Sequence, residues 1–154
     1  VMPVKNFERW LFQRDAEGAR TEPVEKVGIP EQMFEFPRTH LYEYTARQTR
    51  SADGQARIHF GLADGFLSSG PHRVAVKITF LDRDNAEWAL EYYTSDTKTA
   101  TRPVTCGNTG KVRTVTFILN DAWFPGQGYT GRDLQIRATK GDAVIRLVRM
   151  IKLK

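Results

Sequence analysis

The chain is poor in the residues that most often build reactive or metal-holding centres. It has a single cysteine, Cys106, which excludes an internal disulfide and every multi-cysteine metal spacing. Cys106 reads as a small half-buried hydrophobe rather than as a reactive thiol. The three histidines, His40, His59 and His72, share no i, i+4 ligand spacing, and there is no Gly-x-Ser-x-Gly elbow. No apolar run is long enough to cross a bilayer, so no membrane partner is expected. Internal repeats and low-complexity tracts are absent. One formal motif, Gly126-Gln-Gly128-Tyr-Thr-Gly131, satisfies the dinucleotide pattern G-x-G-x-x-G. That pattern needs a strand before it and a helix after it; here Pro125 precedes and a strand pattern, Leu134–Ala138, follows, so it reads as a loop.

At 154 residues, 40% of them hydrophobic, the chain is long enough for one domain with its own core. Its net charge of +5 favours an acidic partner. The first residue is Val1, and nothing near it resembles a signal peptide. The expectation is a module excised from a longer multidomain enzyme, with the secretion signal and any catalytic domain outside it.

The pattern is organised around Arg73–Tyr93. Val74, Val76, Ile78 and Phe80 form one apolar row at a period of two, and Trp88, Leu90 and Tyr92 form another. Asp82, Arg83, Asp84 and Asn85 between them supply turn chemistry. This predicts a hairpin whose apolar face a second sheet covers. Further inward rows are expected at Ile58/Phe60/Leu62 and Val115/Phe117/Leu119.

Upstream, residues 5–14 alternate well enough for a strand, although Phe7, Trp10 and Leu11 also sit at helical spacing. Asp15–Gly18 reads as a turn, residues 19–39 as irregular with a weak strand at Met33–Phe36, and Leu41–Thr49 as a strand. Ser51–Gly54 reads as a second hairpin turn. Downstream, Thr94–Arg102 is expected to be a loop with a short strand. Asn120–Arg132 is a long Gly- and aromatic-rich loop, and Leu134–Ala138 is a strand. In Val144–Leu153 both alternate rows are apolar, which predicts a bulge or burial on both faces. With no convincing helix, the class is an all-β antiparallel sandwich.

Several short motifs carry a resemblance. Asp64-Gly-Phe66, Gly70-Pro71, Val74–Arg83 and Trp88–Tyr92, followed by Thr114–Leu119, Asp121-Ala122, Phe124, Gly131, Asp133 and Ile136, resemble the jelly-roll β-sandwich modules appended to bacterial glycoside hydrolases and polysaccharide lyases. The resemblance covers roughly residues 42–150. It implies a jelly roll and a non-catalytic, carbohydrate-binding role: an accessory domain targeting an attached catalytic domain to a polysaccharide or oligosaccharide. It also implies a secreted, periplasmic or cell-surface setting. A structural calcium ion is the one cofactor it suggests, with Asp82, Asp84 or Asp142 as the oxygen donors. Residues 1–40 match none of its motifs and read as a linker or an extra edge strand. Trp123 departs from the pattern, standing where the modules carry a small or charged residue.

Glycan recognition asks for an aromatic ring to cover a sugar's C–H face and polar groups to meet its hydroxyls. Trp88 and Tyr92 share parity with Leu90 and read as core, and Phe124 as a loop anchor. Trp123 and Tyr129 lie where parity does not oblige burial, and Tyr93 faces away from the core row. Arg132, Arg102 and Arg47 are guanidiniums able to meet hydroxyls, carboxylates or sulfates. The expected site is the Asn120–Arg132 loop, with Trp123 as platform, Tyr129 beside it and Arg132 reaching an acidic or sulfated substituent. Two alternatives stand beside it. One is a sandwich that only props a catalytic domain; the other is single-stranded nucleic-acid binding, disfavoured because Lys and Arg are scattered.

Overall fold

The computed structural model describes residues 7–24, 27, 45–63, 66–67, 70–95, 97–124 and 133–153. Its strands are β1 (Glu8–Trp10), β2 (Phe12–Arg14), β3 (Glu22–Val24), β4 (Ala46–Gln48), β5 (Arg57–Gly61), β6 (His72–Leu81), β7 (Glu87–Thr94), β8 (Thr97–Ala100), β9 (Val104–Thr105), β10 (Val112–Ala122), β11 (Leu134–Lys140) and β12 (Val144–Lys152). Among the described residues there is no α-helix. The first sheet runs β10-β6-β12-β4-β3, with β1 also on β12; the second runs β2-β5-β11-β7-β8, with β9 also on β7. Every pairing is antiparallel.

From β4 onward the chain alternates between the sheets: β4 first, β5 second, β6 first, β7 to β9 second, β10 first, β11 second, β12 first. The resulting quartets, β4-β12-β6-β10 and β5-β11-β7-β8, form the eight-strand jelly roll of the all-β class.

The expected central hairpin is not formed. β6 pairs with β10 and β12, whereas β7 pairs with β11, β8 and β9. The Asp82–Ala86 turn therefore carries the chain from one sheet to the other. The reason is burial: side by side, two apolar rows would both need a cover, but face to face each covers the other. Phe80 and Trp88 meet in this way, edge to face with centroids 5.3 Å apart. Asp84 and Asn85 take the corner at φ 60° and 51°, left-handed values that short polar side chains tolerate. Asp82 is buried there, accepting the Gly107 N–H at 2.6 Å and the Thr109 hydroxyl at 2.7 Å. The Thr109 hydrogen bond outweighs burial, so the carboxyl lies below its ordinary range.

Ser51–Gly54 repeats this theme. The turn forms, with Gly54 at φ 75° and a bridge between Arg50 and Gln55, but β4 and β5 then diverge into different sheets. Asp142 ties the turn down, accepting the Ser51 N–H and the Thr49 hydroxyl, each at 2.8 Å.

The rows Ile58/Phe60/Leu62, Val74–Phe80 and Trp88/Leu90 are buried, as is Leu119; Tyr92, Val115 and Phe117 pack against them half-exposed. β12 carries the expected bulge, between Ile145 and Leu147. It explains the doubled apolar pattern: Ile145, Val148 and Met150 enter the main core, while Val144 joins Val27 and Ala46 in a small cluster of its own. Residues 8–14 are strand, interrupted at Leu11, where the chain passes from β12 in the first sheet to β5 in the second. Leu11 is buried, and its N–H donates to the Val148 carbonyl at 2.9 Å. The segment expected as a loop from Asn120 is strand as far as Ala122. The expected strand at Met33–Phe36 lies outside the described residues.

Candidate functional site

The outward face of the second sheet is polar by the same alternation that makes its inward face apolar. Register places its side chains in rows. Arg14 stands opposite His59, His59 opposite Gln135, and Gln135 opposite Glu91. One row along, Tyr93 stands opposite Lys98. Directly opposed residues share a face, so these side chains are neighbours although they come from five separate strands.

Outward polar residues usually stay wet, but here His59, Glu91 and Gln135 are only 6%, 7% and 6% exposed. The turn between β2 and β3 walls them in. Ala16 and Ala19 pair across it, and Gly18 closes it at φ 79°. A groove of about 370 Å³ results, lined by Glu17, Gly18, Arg57, His59, Tyr93, Lys98 and Gln135.

An ion network forms its floor. Glu91 Oε1 accepts Arg57 Nε at 3.0 Å and lies 3.3 Å from Lys98 Nζ, which also donates to Gln135 Oε1 at 2.8 Å. Burial opposes ionisation of Glu91, yet the Arg57 hydrogen bond and the charges of Lys98 and Arg57 outweigh it, holding the carboxyl below its ordinary range. Two cations share one buried anion in the floor, and Glu17 adds a carboxylate on the wall. The groove thus presents fixed donors, an imidazole, a phenol ring and two cations held in place by Glu91.

Two of the predicted site residues meet at one end of it. The Trp123 N–H donates to the Tyr93 carbonyl at 2.7 Å in an antiparallel bridge, which sends both side chains to the outer face. Flanking Ala122 is buried and Phe124 packs on the core, in keeping with an outward Trp123. Trp123 is held at a strand end and half-buried, not carried on a free loop tip. Tyr129 and Arg132 lie outside the described residues.

The other arginines stand apart. Arg47 is on β4 in the opposite sheet, donating to Thr21 Oγ1 at 2.8 Å and to the Thr21 carbonyl at 3.0 Å, with Asp15 at 3.7 Å. Arg102 is exposed between β8 and β9 and does not line the groove.

Among the described residues, no three His, Cys, Asp or Glu side chains gather as metal ligands. Asp82 and Asp142 already accept the hydrogen bonds given above, and Asp84 meets Arg83 Nε at 3.2 Å. A calcium ion needs several converging oxygens, whereas among the described residues these carboxylates meet N–H, O–H and guanidinium groups. Cys106 is buried; desolvation, then the nearby Asp82 charge, push its thiol up, away from the reactive thiolate.

Arg57, Glu91, Lys98 and Gln135 were not legible as site residues, since each alone reads as a solvated strand face. The available signal was their shared outward parity. Compared with protein-family models, curated proteins and solved structures, the chain matches none of them. Function must therefore be read from the side chains.

Proposed function

We propose that this domain binds a polysaccharide without acting on it, holding an attached carbohydrate-active enzyme on its substrate outside the cell or in the periplasm. One observation carries the reading: polar side chains are walled in on the floor of an outward sheet face, with Tyr93 and Trp123 together at one end. A sugar chain laid in such a groove stacks a C–H face on an aromatic ring and finds its hydroxyls met by Arg57, His59, Lys98 and Gln135. The guanidinium of Arg57, the ammonium of Lys98 and the chain's net charge of +5 suit a uronate or sulfated glycan.

The test is retention on immobilised neutral and acidic polysaccharides and on single-stranded DNA, at low and high salt. Retention on an acidic polysaccharide that weakens with salt is expected, because the Debye length shrinks to about 8 Å at physiological ionic strength. Tyr93→Ala should weaken retention about tenfold, the size of a lost stacking contact near 1.4 kcal/mol. Retention on DNA alone, or on nothing, would reject the reading.

A further inference from the structure

The outward face of the first sheet carries a second feature of a different kind. Trp10 stands opposite Arg149, Arg149 opposite Lys77, and Lys77 opposite Thr116, so one row crosses β1, β12, β6 and β10. Lys77 lies between Val76 and Ile78, both fully buried in the core, which fixes this row on the outer side. The row is about 14 Å long at the usual strand spacing. Its Trp10 ring is 67% exposed, more than Phe7 or Ile118, the other large exposed hydrophobics among the described residues. Edge strands normally carry charge rather than a bare indole.

The cations beside that ring are lightly engaged. Lys77 Nζ donates to the neutral Thr116 hydroxyl at 3.3 Å, and among the described residues it has no carboxylate partner. Arg149 Nη1 stands 3.4 Å from Glu8 Oε1, a half-exposed pair of the weak kind.

We propose that the Trp10–Arg149–Lys77–Thr116 row is a second glycan-binding surface, selective for chains bearing carboxylate or sulfate groups. The inference extends the glycan-binding reading of the groove. Trp10 covers a sugar's C–H face, and Arg149 and Lys77 take the anionic substituent of the next residue along. Thr116 then meets a hydroxyl. Charge argues against a second copy of this chain as the occupant, because a two-fold contact would set these cations against their own kind. Single-stranded nucleic acid fits less well, since it calls for several rings in line and this row offers one. The two surfaces lie on opposite faces of the sandwich, so a single domain bridges two polysaccharide chains.

Titration calorimetry with a galacturonate trisaccharide and with a sulfated chondroitin tetrasaccharide tests this on the full chain. The parent should take up about two ligands of one probe, falling to about one in Trp10→Ala and to about one in Tyr93→Ala, with melting temperatures unchanged. Lys77→Gln should weaken only the Trp10 site and blunt its salt dependence, which keeps the test open should Trp10→Ala fold poorly. One ligand in the parent, lost in Tyr93→Ala and kept in both Trp10→Ala and Lys77→Gln, overturns the second surface and leaves the groove standing. One ligand lost in Trp10→Ala and kept in Tyr93→Ala supports this surface and removes the groove. Uptake of neither probe, or of oligothymidylate alone, overturns both.

Discussion

His59, Glu91 and Gln135 point outward from the second sheet and are almost sealed from water; Trp10 points outward from the first and is two-thirds exposed. Both faces arise from the same alternation of apolar and polar residues over one shared core. What separates them is a single turn. Glu17 and Gly18 wall the second sheet's face, and four strands converge polar groups beneath them. On the first sheet's face near β1, Trp10 stays exposed beside the partly exposed Arg149 and Lys77. A period-two pattern therefore says which way a side chain points but not whether it ends in a groove or on a plain, and that decision belongs to the connections.

The harshest way to break the comparison is to remove what both faces share. Trp88 is fully buried and stacks edge-on against Phe80. Trp88→Ala should cost about 3–5 kcal/mol in urea unfolding and degrade both surfaces together. Phe117→Ala should cost less, about 1–3 kcal/mol, because Phe117 is half-exposed on the edge strand β10. Equal losses at the two sites would mean that the edge is as well packed as the centre.

A finer break acts on one face alone. Glu91→Gln removes the anion that Arg57 and Lys98 share. Both partners are more than a third exposed, so solvent screening limits the cost to about 1 kcal/mol. The sign of its pH dependence follows from the lowered carboxyl. The folded state binds the proton less readily than the unfolded one, so the contribution is present above the ordinary carboxylate range and is lost as pH falls below about 4. The parent should lose stability on acidification more steeply than Glu91→Gln. Parallel curves would show that Glu91 gains nothing from its cations. The smallest effect is at Cys106, whose buried, raised thiol should react with a maleimide far more slowly in native than in unfolded protein. Equal rates would place it at the surface.

Much of the fold was legible because burial is written locally. The rows at Ile58, Val74 and Trp88 needed only their own periodicity, and the bulge in β12 showed as two apolar rows in one strand. Strand order was not legible. Arg73–Leu81 and Trp88–Tyr93 are adjacent in sequence and apolar on one side, which suits a hairpin and a sheet-to-sheet corner equally well. The choice is made by partners more than twenty residues away, β10, β11 and β12. The groove was hidden for the same reason. His59, Glu91, Lys98 and Gln135 become neighbours only in the order β5-β11-β7-β8. Trp10 was hidden differently: its alternation with Phe12 suggests one shared face, but the chain changes sheets at Leu11 between them. The outward direction of Tyr93 was legible from parity alone, whereas Trp123, expected in a loop, is tied to Tyr93 at a strand end.

The central claim is that glycan recognition sits in the walled face of the second sheet. Backbone amide shifts, followed by NMR during titration with an acidic oligosaccharide, test it most directly. The largest changes should cluster on Gly18, Arg57, His59, Tyr93, Lys98 and Gln135, with Trp123 at their margin and a smaller set around Trp10. Changes confined to the Asp82 corner and the Ser51–Gly54 turn, or none at all, would contradict it.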